Sequence, residues 1–246
     1  MSPLEPLGSR TKVATAPAGG VTSPIHPQLP DSHPALDTGG RTSAKLRRAL
    51  RQARRALSPL EQRRHSAALT RLLGRELHFL RSRRLAAYWP ADGELDPRPL
   101  LKRAARGSRQ TYLPVLRRGA HRRLWFLRYC PGEPLRLNRL GIPEPQRRRG
   151  RIGLAADLDL LLVPLVGFDS DCNRIGMGGG FYDRTLAYLR RRTHWRRPRL
   201  IGIAHECQRL ERIDPRPWDI PLDAVATERR IYWRTAPGPE GPAPST

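Results

Sequence analysis

Apolar positions recur along this chain at two different spacings. From Ser43 to Leu57 they suit a helix with one strongly basic face. Ser58-Pro59-Leu60-Glu61 reads as the start of a second helix: Ser58 caps, Pro59 suits the first helical position, and Glu61 completes a capping box. That helix is expected to run from Pro59 to about Leu80. Arg84 to Trp89 reads as a buried strand, and Asp96-Pro97 as a cap and first residue opening a helix through Leu101 to Arg106. Gln110 to Val115 and Leu124 to Tyr129 have strand character, and residues 130–151 form a Pro- and Arg-rich connection. Leu158 to Val166 is almost continuously apolar, as a strand buried on both faces of a parallel sheet requires. A glycine-rich loop follows, then an amphipathic helix from about Phe181 to Arg192. Leu200 to Ala204 is a further buried strand; Asp223 to Thr227 and Arg230 to Trp233 are weaker ones. Strands alternating with helices predict a single α/β domain of three layers with a mainly parallel central sheet.

Composition trims this domain at both ends. Residues 1–41 and 235–246 are rich in Pro, Gly, Ser and Thr without an apolar period, so they are expected to be disordered, leaving 42–234 as the folded part. The longest apolar run, Leu158 to Phe168, contains Asp, Pro and Gly and is too short to span a bilayer. The N-terminal stretch lacks the charged start and apolar core of a secretory signal. Three widely spaced cysteines, Cys130, Cys172 and Cys207, carry no zinc or redox spacing and are expected to be reduced thiols in the cytoplasm.

The formal net charge of +24 raises the question of nucleic acid. Nearly all of it is arginine, since only Lys12, Lys45 and Lys102 are lysines, and the arginines are scattered over several helices and loops. No zinc finger, RNA-recognition signature or interleaved aromatic stripe accompanies them, so solvated helix faces are the expectation and nucleic acid is not expected as a specific partner. Such a surface also favours small anionic molecules.

The densest chemistry lies in Arg174-Ile175-Gly176-Met177-Gly178-Gly179-Gly180-Phe181-Tyr182-Asp183, placed after the buried strand and before a helix. Its glycines remove side chains where a phosphate must approach the backbone, and free N–H groups at a helix start favour an anion. Arg174 can supply a fixed charge at the loop entrance. Asp183 repels phosphate by itself but suits a Mg²⁺ ion joined to phosphates. The loop is neither the Walker pattern nor the dinucleotide spacing of an N-terminal βαβ unit; by itself it reads as a phosphate or nucleotide site.

Arg-x-Gly-x-Gly-Gly-Gly-Phe-Tyr-Asp-Arg, preceded by Pro-x-x-x-Phe-Asp, resembles the signature of the 5-formyltetrahydrofolate cyclo-ligases, the methenyltetrahydrofolate synthetases. The resemblance extends over about residues 43–234 and implies a Rossmann-like three-layer domain. It also implies ATP as cosubstrate, Mg²⁺, and 5-formyltetrahydrofolate, polyglutamylated or not, as substrate of a monomeric cytoplasmic enzyme. Leu46-Arg47 match an N-terminal Lys-x-x-Leu-Arg element that grips ATP phosphates; Ser43 stands at the Lys position, and Lys45 lies two residues on. The resemblance assigns ATP contacts to Ser43, Lys45, Arg47 and the loop from Arg174 through Ile175, Gly176, Met177, Gly178, Gly179, Gly180, Phe181 and Tyr182. Tyr88-Trp89-Pro90-Ala91-Asp92-Gly93-Glu94-Leu95-Asp96 resembles the folate-contacting strand end, implying substrate contacts from Trp89 and Glu94 and, across the loop, from Met177, Gly178, Gly179, Gly180 and Phe181. Trp218-Asp219-Ile220-Pro221-Leu222-Asp223 with Thr227-Glu228 matches a third region, making Asp219 the second metal ligand beside Asp183. Catalytic roles fall on Arg174 and Asp183. A catalytically degenerate homologue and a basic nucleic-acid-binding protein are the alternatives.

Overall fold

The computed structural model describes residues 40–117, 122–146, 152–191 and 197–235, all within one compact unit, Leu36–Thr246. The tails expected to be disordered lie outside these residues, except that the first helix already begins at Gly40.

Helix α1 spans Gly40–Arg55, α2 Pro59–Leu73 and α3 Leu77–Arg81. The capping box of α2 forms as its sequence suggests: the Ser58 side chain accepts from the Glu61 N–H, and the Glu61 carboxylate accepts from the Ser58 N–H at 2.8 Å. The single helix expected from Pro59 to Leu80 is broken at Gly74. Its N–H caps the last turn of α2, and a Cβ there would run into the Thr70 carbonyl and the Arg103 guanidinium. Strand β1 (Arg84–Ala86) is followed by α4 (Arg98–Arg106), then by β2 (Gln110–Leu116) and β3 (Leu124–Arg128). The start of α4 lies one residue later than anticipated: Pro97 is the N-cap and Arg98 the first helical residue, while Asp96, one position further out, accepts from the Arg98 N–H at 2.8 Å.

The expected irregular connection contains a hairpin of β4 (Leu135–Leu137) and β5 (Pro143–Pro145). The cause is local: the Asn138 side-chain oxygen accepts from the N–H groups of Leu140 and Ile142, which folds the turn without an apolar period to announce it. Then come β6 (Ile152–Gly153), β7 (Leu160–Pro164), the short pair β8 (Gly167–Phe168) and β9 (Arg174–Ile175), α5 (Phe181–Leu186), β10 (Arg199–Ile203), β11 (Ala224–Ala226) and β12 (Ile231–Trp233). The helix expected to reach Arg192 is α-helical only to Leu186 and continues as a 3₁₀ turn over Ala187–Arg191.

Eight strands form one sheet in the order β12-β11-β10-β7-β1-β2-β3-β6. The pairings from β11 through β2 are parallel, and antiparallel strands close both edges. Both faces are covered. Leu160 and Leu162 of β7 pack with Leu69 and Leu73 of α2 and Leu100 and Leu101 of α4. Leu161 and Val163 pack on the opposite face with Leu186 of α5 and Leu189. This alternation along one strand is why the sequence of β7 has no polar face. A third cluster joins Leu46 and Leu50 of α1 to Val166, Ile175, Leu210 and Ile213, seating α1 on the segments that follow β7.

Candidate active site

In a parallel sheet the ligand-binding crevice opens beyond the carboxyl ends of the strands, where the strand order reverses. Here that point lies between β1 and β7. The chain leaves β1 toward β2 by way of α4 on one face, and leaves β7 toward β10 by way of α5 on the other. The loop after β1 carries Trp89 and Glu94; the loop after β7 carries the glycine cluster. Two stretches that are far apart in sequence, and that sequence reading marked separately, therefore leave neighbouring strands at one sheet edge.

Arg54 ties the two loops together. Its side chain has no solvent exposure. It donates from Nε to the Asp92 carbonyl at 2.8 Å, from Nη2 to Asp92 Oδ2 at 2.9 Å, and from Nη1 to the Leu165 carbonyl at 3.2 Å. Arg51 and Arg55, from the same helix, also bind the Asp92 carboxylate. Burial opposes the charge of Asp92, but the bonds from Arg51 and Arg55 and the charge of Arg54 outweigh it and hold its carboxyl below the ordinary range. The turn requires Gly93: its φ is +74°, and a Cβ would lie 3.2 Å from the Arg54 carbonyl oxygen.

Glu94 sits just beyond this clamp. One carboxylate oxygen accepts from the Ala91 N–H at 3.1 Å, and the other lies 3.7 Å from Arg54. Desolvation dominates over the nearby Arg54 and raises the Glu94 pKa to about 7. Burial, and then the charge of Glu94, pushes the Tyr182 hydroxyl well above its usual range. Trp89 is half-buried, edge-on to Tyr129 with ring centroids 6.2 Å apart, and Arg98 stacks over it at 4.9 Å. The indole thus packs in part on the core.

On the phosphate side, Arg47 of α1 donates to the Gly176 carbonyl at 3.2 Å and its guanidinium carbon lies 3.9 Å from where a Gly178 Cβ would stand. Gly176, Met177 and Gly178 are exposed, and Gly179 and Gly180 half-buried. Gly178, at φ +91°, holds a left-handed conformation that disfavours any side chain. Lys45 is exposed on α1. Ser43 belongs to the first turns of α1, and its side chain lies outside the described residues. Ile175 packs under the loop with Leu46 and Leu50, and a Cβ at Gly179 would meet the Phe181 ring at 2.9 Å.

Arg174 points inward. Its side chain is 6% exposed; it donates to Asp183 and to the Ile220 carbonyl. Burial lowers its pKa, with Asp183 and Asp219 supporting the charged form. The two acids assigned to the metal thus flank one guanidinium. Asp183 is 30% exposed, so its carboxylate reaches the crevice as well as Arg174. Asp219 accepts from the Arg216 N–H at 2.9 Å and lines a cavity of about 110 Å³ with Asn173, Arg174 and Ile220. Two hard oxygen donors, completed by phosphate oxygens, fit Mg²⁺, which takes few protein ligands.

In the third matched region, Asp223 and Thr227 hold neighbouring segments in place. Asp223 accepts from the Leu200 N–H at 2.8 Å and binds Arg199, pinning the start of β10. Thr227 donates to Glu206 at 2.8 Å. Sequence reading passed over Arg54 as one more arginine of a basic helix. A signal existed: Arg54 falls four residues after Leu50, on the stripe that faces the core.

The family model described as the 5-formyltetrahydrofolate cyclo-ligase family matches residues 40–228. The chain is 39% identical over 186 residues to the 5-formyltetrahydrofolate cyclo-ligase of Escherichia coli strain K12, a match covering 74% of this chain and 98% of that protein. It is 34% identical over 180 residues to the enzyme of the same name from Haemophilus influenzae, covering 72% and 93% of the two chains. The solved structure of Aquifex aeolicus 5,10-methenyltetrahydrofolate synthetase matches with a TM-score of 0.67 at 29% identity, covering 83% of this chain and 99% of that one. With a signature loop at the switch point and matches of this length, the chain belongs to the 5-formyltetrahydrofolate cyclo-ligase family.

Proposed function

We propose that this protein closes 5-formyltetrahydrofolate to 5,10-methenyltetrahydrofolate, converting ATP to ADP and phosphate. The observation that carries the reading is the meeting of the Trp89–Glu94 loop and the Gly176–Gly180 loop at the switch point, tied through Arg54.

In this reading the pterin packs against Trp89 and donates its amino and ring N–H groups to Glu94. An acid whose pKa burial has raised to about 7 gains when ligand N–H groups replace lost water. The ATP phosphates lie along the Gly176–Gly180 backbone, with Arg47 and Arg184, which donate to the Gly176 and Gly179 carbonyls, as fixed cations and Lys45 reaching in from the exposed face of α1. Arg174 is a positioning residue: its guanidinium is engaged by Asp183 and Ile220, so it orients the Asp183 carboxylate and the Ile220 segment. Asp183 and Asp219 would hold Mg²⁺, which supplies charge neutralisation and orientation of the phosphates.

The formyl oxygen attacks the γ-phosphorus; an O–P bond forms and the bond to ADP breaks. The aniline-side nitrogen then attacks the activated carbon, forming the C–N bond and losing its proton, and phosphate leaves with the C–O bond. Positioning and charge compensation suffice for phosphoryl transfer, so no protein nucleophile is needed. The strongly basic surface assists capture of ATP and polyglutamylated folate. We assign the enzyme to the cytoplasm, a reading supported by its three widely spaced cysteines, and take it to act as a monomer. Among the described residues no helix is long and apolar enough to cross a membrane.

The test is spectroscopic detection of methenyltetrahydrofolate from 5-formyltetrahydrofolate. Product is expected only with both ATP and Mg²⁺ present; no product from folded protein would overturn the assignment.

A further inference from the structure

Behind the folate-side loop, three side chains with no part in the proposed reaction converge from distant points of the chain. His65 comes from the middle of α2, His205 from the turn that follows β10, and Glu228 from the turn between β11 and β12. Their candidate ligand atoms all lie within 4.8 Å of one another, and this is the group of three or more such residues found among the described residues. His65 Nδ1 stands 2.9 Å from His205 Nδ1 and 3.8 Å from Glu228 Oε1. We propose that His65, His205 and Glu228 form a second metal site, separate from the ATP-linked Mg²⁺ site, that takes a divalent transition metal of the Zn²⁺ class.

Orientation of the ligands supports this more than proximity does. His205 is fully buried, and its Nε2 lies 3.2 Å from the Gly93 carbonyl. A carbonyl only accepts, so Nε2 carries the proton and the neutral ring turns a bare Nδ1 lone pair toward His65 and Glu228. A ring N–H donated to a backbone carbonyl is the outer contact that fixes tautomer and aim in histidine metal ligands. Glu228 is oriented in the same manner: Oε2 accepts from the Glu206 N–H at 3.0 Å, leaving Oε1 toward the histidines. His65 is the adjustable member, 22% exposed on α2. In the metal-free arrangement its Nδ1–H donates to His205. On binding, that proton moves to His65 Nε2, so the ring stays neutral and both Nδ1 atoms become ligands.

The separations, 2.9 Å between the two histidine nitrogens and within 4.8 Å across the group, require the His65 and Glu228 side chains to adjust around an ion. Zn–N bonds of about 2.0–2.1 Å at a tetrahedral angle place two nitrogens roughly 3.3 Å apart. The 2.9 Å pair therefore opens by a few tenths of an ångström, which the partly exposed His65 side chain permits. Two borderline imidazole nitrogens joined by one carboxylate oxygen make a donor set suited to Zn²⁺ or Co²⁺ and poorly suited to Mg²⁺. Three protein ligands leave one position open. Glu228 also borders an open groove of about 580 Å³ beside α2, which gives an ion a path from solvent. Arg71, Arg75, Arg229 and Arg230 line that groove with Glu76; the net positive charge weakens cation binding. Because His205 grips the Gly93 carbonyl, one residue before Glu94, an ion here would brace the folate-side loop from behind.

The experiment uses the full-length, tag-free protein stripped with a chelator and titrated with Co²⁺, followed by its visible d–d absorption, then challenged with Zn²⁺. One equivalent per chain is expected, displaced by Zn²⁺ and not by Mg²⁺. His65→Gln and Glu228→Gln should each weaken binding at least about 100-fold, while His78→Gln on α3 leaves it unchanged. Far-UV circular dichroism and thermal melting of the metal-free variants establish that they fold; Glu228→Gln keeps an oxygen for the Glu206 N–H. Absence of saturable Co²⁺ binding by wild-type protein, or binding that persists equally in both variants, overturns the site.

Discussion

The loops after β1 and β7 frame the same crevice, but they are restrained at different points. The loop after β1 is clamped at its tip: Arg51, Arg54 and Arg55 converge on Asp92, Gly93 adopts a left-handed turn, and His205 holds the Gly93 carbonyl. The loop after β7 is secured at its flanks, by β8 pairing with β9 and by Arg174 on Asp183, while Gly176, Met177 and Gly178 between them are exposed. Under the proposed function, the difference follows from what each side recognises. A pterin edge is read by a few donors and acceptors at fixed positions, which rewards preorganisation. A triphosphate is read by backbone N–H groups and cations that close around it, which rewards a chain free of side chains.

Cutting the clamp should produce the largest effect. Arg54→Leu leaves the Asp92 carboxylate with Arg51 and Arg55 alone and removes the donor to the Asp92 carbonyl, while the Leu165 carbonyl keeps Gln208 as its donor, at an expected cost of about 3 kcal/mol or more in urea unfolding. Folate affinity should fall with it, and a variant as stable as wild type would mean the clamp is not what holds the loop. On the other side, Asp183→Asn should lower kcat by about 100-fold. Its stability loss should be only about 1 kcal/mol, since the amide oxygen still accepts from Arg174. Unchanged turnover in that variant would remove Asp183 from the metal and phosphate chemistry.

Glu94 gives the comparison a pH axis. Burial raises its pKa from 4.5 to about 7, so the folded state holds the proton more tightly than the unfolded chain. The stability this lends is fully present below the unfolded pKa and is lost as pH rises through the folded one. Glu94→Gln should therefore gain on wild type as pH climbs from about 5 to about 8, by roughly 1–3 kcal/mol. Parallel stability curves for the two proteins would show that Glu94 is solvated. The smallest effect belongs to the exposed tip. A Cβ at Gly176 meets nothing within 4 Å, so Gly176→Ala should change stability by less than about 0.5 kcal/mol. Its ATP affinity should fall about tenfold if phosphates approach that backbone. Gly179 is a poorer probe, because a side chain there collides with Phe181 before it meets any ligand. ATP binding unaltered in Gly176→Ala would place the phosphates elsewhere.

Elements governed by neighbours in sequence were legible before the structure. The Ser58–Glu61 capping box, Asp96 before α4 and the doubly buried β7 all appear within a residue or two of where their patterns place them. The Asn138 turn was equally local, but its signal is a side-chain hydrogen bond within a stretch dominated by Pro and Arg. Other features had no local signature at all. Arg54 looks like its arginine neighbours in α1, and only the seating of that helix on Val166, Leu210 and Ile213 makes it fully buried. Arg174 looks like a cation offered to phosphate, and its inward turn toward Asp183 and Ile220 depends on segments 9 and 46 residues away.

The sequence by itself determined the α/β alternation, the caps that start its helices, and the glycine loop whose composition suits phosphate, because propensity, capping and periodicity act over a few residues. The tertiary structure decided that β1 and β7 are neighbours and that one buried guanidinium ties their loops. It also brought His65, His205 and Glu228 together. Those outcomes depend on strand order and helix seating, which arise from packing of the whole core and are encoded in no single window of the chain.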